Sequence, residues 1–460
     1  MMDKSAAAAQ MNLVSCPALL IAGIASGQGK TTVAAALARY HTRNGRRVRV
    51  FKVGPDFLDP MILQAASGAP VENLDLWMVG AARSRALLYR AACESDLILI
   101  EGAMGLYDGD PSAADLARAF EVPIAAVIDA GAMAQTFGAL ALGLKQYQQI
   151  PFAGVIANRV ASAGHATMLK ESLPADISLL ACVGRAETPL PERHLGLVQA
   201  SELADLTARL DALADLIEAG GLTALPPAVT FAPQTEAALP RLLEGCVIAV
   251  ARDDAFSFLY PANLKTLEGM GASLTFFSPL ADAAVPQADA LWLPGGYPEL
   301  HAEQLASNSQ WQASVRAFHA AAKPILAECG GMMALTELLE TVGGQGFSMI
   351  GLIPGKITMQ KRLAAIGMQE VALPVGNEGG NDRASDTSRQ PLRGHTFHYS
   401  RFESPLQPVA HATRAKGGAG EAVYRIGNLN ASYFHAYFAS HPPAVAELFA
   451  PSCRSGIAPR

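Results

Sequence analysis

Gly23-Ile24-Ala25-Ser26-Gly27-Gln28-Gly29-Lys30-Thr31-Thr32 stands between the apolar run 17–25 (PALLIAGIA) and a helix-forming stretch over 30–44. The run is short and nearly continuous, as a strand buried on both faces should be. Backbone N–H groups of a glycine-rich turn, with the helix N-terminus behind them, can surround phosphate oxygens. In such a loop Gly27, Gln28 and Gly29 line the phosphates, Lys30 bridges the β- and γ-phosphates, and the Thr31 hydroxyl reaches Mg2+ beside Thr32. Five residues separate Gly23 from Gly29, where the standard spacing has about four. Strand, turn, GKTT and helix nevertheless come in the order that nucleotide binding requires.

Outward from this loop, further apolar runs occur at 48–53 (VRVFKV), 96–101 (DLILIE), 123–129 (PIAAVID) and 151–157 (PFAGVIA), each followed by a turn or helical stretch. That succession predicts parallel strands in a doubly wound α/β domain. A Gly-, Pro- and Ala-rich stretch at 219–243 reads as a linker. A second strand–helix series follows at 246–251, 273–277, 289–293 and 324–328, hence a second α/β domain. The expected organisation is a tail over 1–14, a synthetase domain over 15–218, the linker, a second domain over 244–450 and a tail over 451–460. Residues 374–392 read as a polar surface loop.

With half of its 460 residues hydrophobic and 17% charged, the chain buries large cores rather than remaining disordered. A net charge of −6 without any basic block nominates no nucleic-acid partner. The six cysteines, at 16, 93, 182, 246, 329 and 453, form no C-x-x-C pair, so neither a zinc site nor a disulfide framework is expected. Scattered thiols and the lack of a basic, apolar leader predict a cytoplasmic protein. The longest apolar stretch, 125–144, is broken by Asp129 and Gln135 and reads as a strand then a helix rather than a membrane span.

Acidic residues stand where phosphoryl chemistry needs them. Asp56 and Asp59 follow the second strand, Glu101 ends DLILIE, and Asp108 follows a short turn. Carboxylates at the C-terminal ends of parallel strands face the ligand crevice. There they can hold Mg2+; Asp59 and Asp108 equally suit turn formation. In the second half, Cys329 in AECGGMM sits between an apolar strand and a helical stretch, the placement of a nucleophile elbow. Gly295 and Gly296, in LPGGYPE, can supply oxyanion donors. The thiol needs a base, and His395, His398 and His435 are the candidates.

Together these motifs resemble the cobyrinic and hydrogenobyrinic acid a,c-diamide synthases of cobalamin biosynthesis. The similarity runs through GIASGQGKTT, FKVGPDFLDP, IEGAMGLYDG, GVIANRV, LPERHLGL, LPGGYPEL, AECGGMM, MQKRL, GHTFHYS and SYFHAYF, in that order. It implies a dethiobiotin-synthetase-like domain fused to a class I glutamine amidotransferase domain, with ATP and Mg2+. It also implies a corrinoid substrate and glutamine or ammonia as nitrogen source, with no nucleic-acid or membrane partner; a homodimer is left open. By motif match Cys329 is the nucleophile and His435 its base, Gly295 and Gly296 form the oxyanion loop, and Asn158 contacts adenine. Thr31, Asp56 and Glu101 hold the metal, while Asp59, Asp108, His395, His398 and Arg401 serve the substrate or acyl-phosphate site. Arg193, His194, Lys361 and Arg362 are further substrate candidates on charge; each basic residue equally suits a surface salt bridge.

Triad amidotransferases place a Glu two residues after the histidine, whereas Tyr437 stands there, so the third member is unidentified. A partitioning-type ATPase would carry a lysine where Ala25 stands and would have no use for the second domain. A glutamine-binding module without chemistry conflicts with Cys329. Cobyric acid synthase and nickel-sirohydrochlorin a,c-diamide synthase are nearer alternatives, against which FKVGPDFLDP with LPERHLGL favours the corrin a,c-diamide branch.

Overall fold

The computed structural model describes residues 12–193, 196–372 and 390–450, with only the backbone of residues 192, 193, 196 and 197. The chain divides into two compact units, Met1–Ala237 and Ala238–Arg460.

The first unit alternates strands and helices: β1 (Val14–Gly23), α1 (Lys30–Arg43), β2 (Val48–Val53), α2 (Leu58–Ser67), β3 (Glu72–Leu74), α3 (Ala81–Glu94), β4 (Leu97–Glu101), α4 (Ala113–Phe120), β5 (Ile124–Asp129), α5 (Thr136–Gln146), β6 (Phe152–Val160), α6 (Ala163–Ser172) and β7 (Leu179–Gly184). Short strands β8 (Glu192–Arg193) and β9 (Gly196–Leu197) pair with each other, and α7 (Leu206–Ala219) and β10 (Ala228–Phe231) complete the unit. The main sheet runs β3-β2-β4-β1-β5-β6-β7, all parallel. Its central strands are buried on both faces, which is why their sequences are continuous apolar runs rather than alternating ones. The stretch 125–144 is β5 followed by α5. At α4, the Ser112 hydroxyl accepts from Asp115 N and the Asp115 carboxylate accepts from Ser112 N, a reciprocal cap worth about 1 kcal/mol.

The expected linker differs from the structure in its first half. β10 pairs antiparallel with the start of β1, from Val14 opposite Phe231 to Pro17 opposite Ala228, and buries Val229 and Phe231. A four-residue strand among prolines and alanines leaves too short a periodic signal to read.

The second unit contains β11 (Val247–Ala251), α8 (Pro261–Gly269), β12 (Ser273–Phe277), β13 (Ala290–Leu293), α9 (Ala302–Ser307), α10 (Ser309–Ala320), β14 (Ile325–Glu328) and α11 (Gly330–Leu335). After them come β15 (Thr336–Glu340), β16 (Gly346–Ser348), β17 (Ile353–Met359), β18 (Ala365–Val371), β19 (Leu392–His398), β20 (Ser400–Glu403), β21 (Ala410–Arg414), β22 (Ala419–Ile426), β23 (Leu429–Ser432), β24 (His435–Ala436) and α12 (Pro442–Phe449). Its main sheet runs β12-β11-β13-β14-β23-β22-β21-β18-β19-β24. The first five strands are parallel, and the remaining pairings are antiparallel. Trp292 packs on Phe438 and Phe449 on one face, while Phe256 and Trp311 pack on the other, each burial contributing about 1.5–3 kcal/mol. Of the expected surface loop, 373–389 lies outside the described residues, as do 1–11 and 451–460.

Candidate functional site

In the first unit, the loop after β1 turns through Gly27 and Gly29, both at positive φ. Asn158, at the end of β6, fixes its shape by donating Nδ2 to the Gln28 carbonyl at 2.9 Å. A Cβ at Gly29 would lie 2.2 Å from that nitrogen, so only glycine fits. Gln28 Oε1 accepts from Asp129 N at 2.9 Å, tying the loop to β5. A cavity of about 730 Å3 opens beside it, lined by Gln28, Gly29, Thr32, Asp129, Asn158 and Arg159 among others, with room for a nucleoside. Lys30 Nζ donates to the Ala25 carbonyl at 2.8 Å, and burial lowers its pKa.

Below this loop the ends of β2 and β4 and the starts of α1 and α2 gather a charged cluster. Thr31 Oγ1 donates to Glu101 Oε1 at 2.5 Å. Lys52, a buried residue on β2, lies 2.5 Å from Asp59, 3.1 Å from Glu101 and 3.6 Å from Asp56. Burial would lower the Lys52 pKa, but the three carboxylates outweigh it and hold the ammonium charged. Burial raises the Asp56 and Glu101 carboxyls, whereas at Asp59 the same burial is outweighed by Lys52, which holds it low. Asp56 Oδ1 also accepts from Leu58 N and Asp59 N, so it starts α2 as well as facing the cluster. Glu101 Oε2 is buried without a hydrogen-bond partner among the described residues. Asp108 is not part of this group: it is exposed and accepts from Gly105 N at 3.0 Å, shaping its own turn.

Lys52 went unnoticed in the sequence, although a lysine inside an apolar strand was its signal. Among the described residues no three His, Cys, Asp or Glu side chains form a ready-made metal cluster. The oxygen donors Thr31, Asp56 and Glu101, one with an unused buried oxygen, fit a small hard cation that keeps water and phosphate oxygens as its other ligands.

In the second unit, β14 ends at Glu328 and Cys329 turns sharply into α11 with φ 47° and ψ −105°, a backbone region that costs a non-glycine residue roughly 1–3 kcal/mol. The strain is held by Cys329 N donating to Ser432 O at 2.7 Å and by Met333 N donating to Cys329 O at 2.9 Å. The LPGG loop after β13 closes against this elbow. A Cβ at Gly330 would meet Gly296 N at 2.9 Å, and one at Gly295 would meet His435 Cε1 at 2.4 Å. One glycine loop thus touches both the residue after the thiol and the His435 ring. His435 is buried, and burial, then His395 and His398, keep its pKa far below the usual histidine value. Burial, then the charge of Glu299, raises the Cys329 thiol. The resting pair is therefore a neutral thiol and a neutral imidazole, the form in which a base can accept a proton.

The structure gives the three histidines different surroundings. His395 stands opposite His435 in the β19–β24 pairing, and their rings stack at 4.9 Å and 18°. His395 Nδ1 bonds the Tyr260 hydroxyl at 3.2 Å, and burial lowers its pKa to about 3. His398 lies flat on Tyr433 at 3.7 Å, with Nδ1 on the Ser400 carbonyl and Nε2 on Glu421 at 3.2 Å. Arg401 is exposed beside Glu403, a surface pair, and Lys361 and Arg362 are exposed as well. His194 lies outside the described residues, and of Arg193 only the backbone is described.

Tyr437 is buried where triad enzymes carry their carboxylate. A different buried carboxylate lies close in the chain: Glu328 accepts from the backbone N–H of Ala436, the residue after His435, at 2.8 Å and from Trp292 Nε1 at 2.8 Å. Burial raises its pKa to about 7. A glutamate closing the apolar strand PILAE was the available signal.

Residues 19–195 match the CobQ/CobB/MinD/ParA nucleotide binding domain, and residues 247–443 match the CobB/CobQ-like glutamine amidotransferase domain. The chain is 58% identical over 440 residues to the hydrogenobyrinate a,c-diamide synthase of Stutzerimonas stutzeri, covering 95% of this chain and 99% of that one. It is 56% identical to the enzyme of the same description from Pseudomonas aeruginosa, covering 96% and 99%. It is 53% identical to the cobyrinate a,c-diamide synthase of Herminiimonas arsenicoxydans, covering 95% and 97%.

Proposed function

The chain belongs to the hydrogenobyrinate and cobyrinate a,c-diamide synthase family, and from that premise we propose that it amidates the a- and c-acetate carboxylates of a corrin macrocycle, consuming ATP and hydrolysing glutamine. One observation carries the reading: a strained cysteine elbow with a histidine on its glycine loop shares a chain with a phosphate loop that overlies a lysine–carboxylate cluster.

A carboxylate resists attack because its charge is delocalised. Transfer of the γ-phosphoryl to it gives an acyl phosphate, whose phosphate then leaves as ammonia forms the amide bond. Backbone N–H groups of Gly27 to Thr32 and the Lys30 ammonium hold the phosphates. Lys52 sits at the strand ends as a fixed positive charge, placed to draw in a substrate carboxylate and to offset charge during transfer. Thr31, Asp56 and Glu101 would hold Mg2+, which would supply positive charge to offset that on the phosphate oxygens. Asn158 borders the nucleoside cavity and recognises the base.

At the other site His435 takes the thiol proton and Cys329 attacks the glutamine amide carbon. The developing oxyanion is met by N–H groups of the LPGG loop, and ammonia leaves with a proton returned by His435. Water hydrolyses the thioester to glutamate and restores the thiol. Glu328 holds the strand that carries His435. The stacked His395 fixes the ring plane from behind. Among the described residues no helix is long and apolar enough to cross a membrane. We place the reaction in the cytoplasm, where ATP is made and thiols stay reduced.

The test is incubation of purified protein with ATP, Mg2+, glutamine and either hydrogenobyrinic or cobyrinic acid, with mass spectrometry of the corrinoid. The a,c-diamide is expected. Amidation at other side chains, or of neither substrate, contradicts the reading, and the faster substrate reveals the metal state preferred.

A further inference from the structure

Glu299 follows the LPGGYP loop on a single 3-10 turn, Pro298–His301, which packs against α11 directly behind the nucleophile. The closeness is set by Gly330, where a Cβ would lie 2.9 Å from Pro298 Cδ. Glu299 is partly buried; its carboxylate takes a hydrogen bond from its own backbone N–H and has no positively charged partner among the described residues. Burial raises its carboxyl to about 7. After burial it is the largest influence on the Cys329 thiol, and its negative charge opposes thiolate formation. The other acid near the thiol, Glu421, is already engaged by His398 Nε2 at 3.2 Å and by the Thr396 hydroxyl at 3.0 Å.

A carboxylate without a cationic partner beside a nucleophile hinders catalysis unless something positive arrives with the substrate. Glutamine carries one such group, its α-ammonium, at the opposite end from the amide that Cys329 attacks. Building on the proposed glutaminase, we propose that Glu299 receives the α-ammonium of glutamine. It thereby selects the free amino acid over other primary amides and lifts its own opposition to the Cys329 thiolate once glutamine is seated. No covalent step is added. The ammonium donates to the carboxylate, the local charge falls to zero, and His435 then removes the thiol proton.

The experiment compares hydrolysis of glutamine with that of glutaramate, which is glutamine without its α-amino group, by the full-length wild type, E299Q and E299D. The wild type should prefer glutamine by about 10- to 100-fold in kcat/KM, the worth of one charge-assisted hydrogen bond. E299Q should raise the KM for glutamine by a similar factor, speed glutaramate hydrolysis because the charge opposing the thiolate is gone, and so lose the preference. E299D should recover part of it. Alkylation of Cys329 by iodoacetamide, followed by mass against pH, should begin at lower pH in E299Q. A wild-type preference retained by E299Q overturns the inference, as does an equal loss with both amides, which marks a structural role. A wild type that hydrolyses neither amide overturns the glutaminase reading itself.

Discussion

Gly295→Ala tests the geometry that joins the glycine loop to the base. A Cβ built at Gly295 lies 2.4 Å from His435 Cε1, 3.1 Å from Nδ1 and 3.2 Å from Phe258 Cδ2, whereas ordinary contact begins at 3.4 Å. The imidazole must therefore retreat by about 1 Å (3.4 − 2.4). Little room exists for it, because His395 stacks on the same ring at 4.9 Å and Ala436 N is tied to Glu328 at 2.8 Å. A reacting group misplaced by about 1 Å loses on the order of 100-fold in rate, about 3 kcal/mol of barrier. Overpacking adds roughly 1–3 kcal/mol of destabilisation. Glutamate release should fall on the order of 100-fold in kcat, and ammonia-driven synthesis with thermal melting reports that the fold survives. Undiminished glutamine hydrolysis by this variant would refute the placement of His435 as the base.

Cys329→Ala should abolish glutamine-driven synthesis and spare ammonia-driven synthesis, measured as amidated corrinoid with each nitrogen source; equal loss with both sinks the two-site assignment. Glu101→Gln should remove synthesis with either source, by roughly 100-fold or more, because charge at the β- and γ-oxygens is then poorly offset. Its melting temperature should not fall, since burial disfavours the ionised Glu101 and Lys52 keeps Asp59 at 2.5 Å. Normal ADP formation by a folded Glu101→Gln protein makes Glu101 structural. Burial holds His395 at about 3 and His41 at about 4 in the folded chain, below the ordinary value of 6.5. The unfolded chain therefore binds more protons below pH ~6.5, and the stability from keeping both rings neutral is lost progressively toward pH 3–4. At pH 5 each ring destabilises the fold by about 2 kcal/mol relative to neutral pH. Calorimetry of the wild type and His395→Gln from pH 7.5 to 5 isolates one ring from the buried carboxyls, whose raised pKa values act in the opposite direction. Stability should shift less toward loss in the variant as pH falls, and identical pH dependence in the two proteins contradicts a buried neutral His395.

The features that could be read in the sequence depend on the backbone. Gly27 and Gly29 sit at positive φ and Gly295 packs against an imidazole, so glycine is required and visible at each. Cys329 is legible because an apolar strand, a thiol and two glycines in succession leave few foldable alternatives to an elbow. What escaped depends on side chains brought together from distant segments. Lys52 looks like one charge in a strand until β2, β4 and the start of α2 bring three carboxylates within 3.6 Å of it. Glu328 was hidden for a similar reason: its partners, Trp292 and Ala436, come from strands on either side in the sequence. His395 could not be separated from His398 until the β19–β24 register put His395 opposite His435 and β22 brought Glu421 to His398. Asp108 and Arg401, both credible by motif, remain at the surface with local partners.

Glutamine labelled with 15N at its amide, supplied with ATP, Mg2+ and the corrin acid, tests most directly whether one chain joins thiol-dependent ammonia release to ATP-dependent carboxylate activation. The wild-type product should carry 15N in both the a- and c-carboxamides, with no amide formed when ATP is omitted and no label transferred by Cys329→Ala. Labelled amide formed without ATP, or labelled product from Cys329→Ala, would contradict that pairing of the two chemistries.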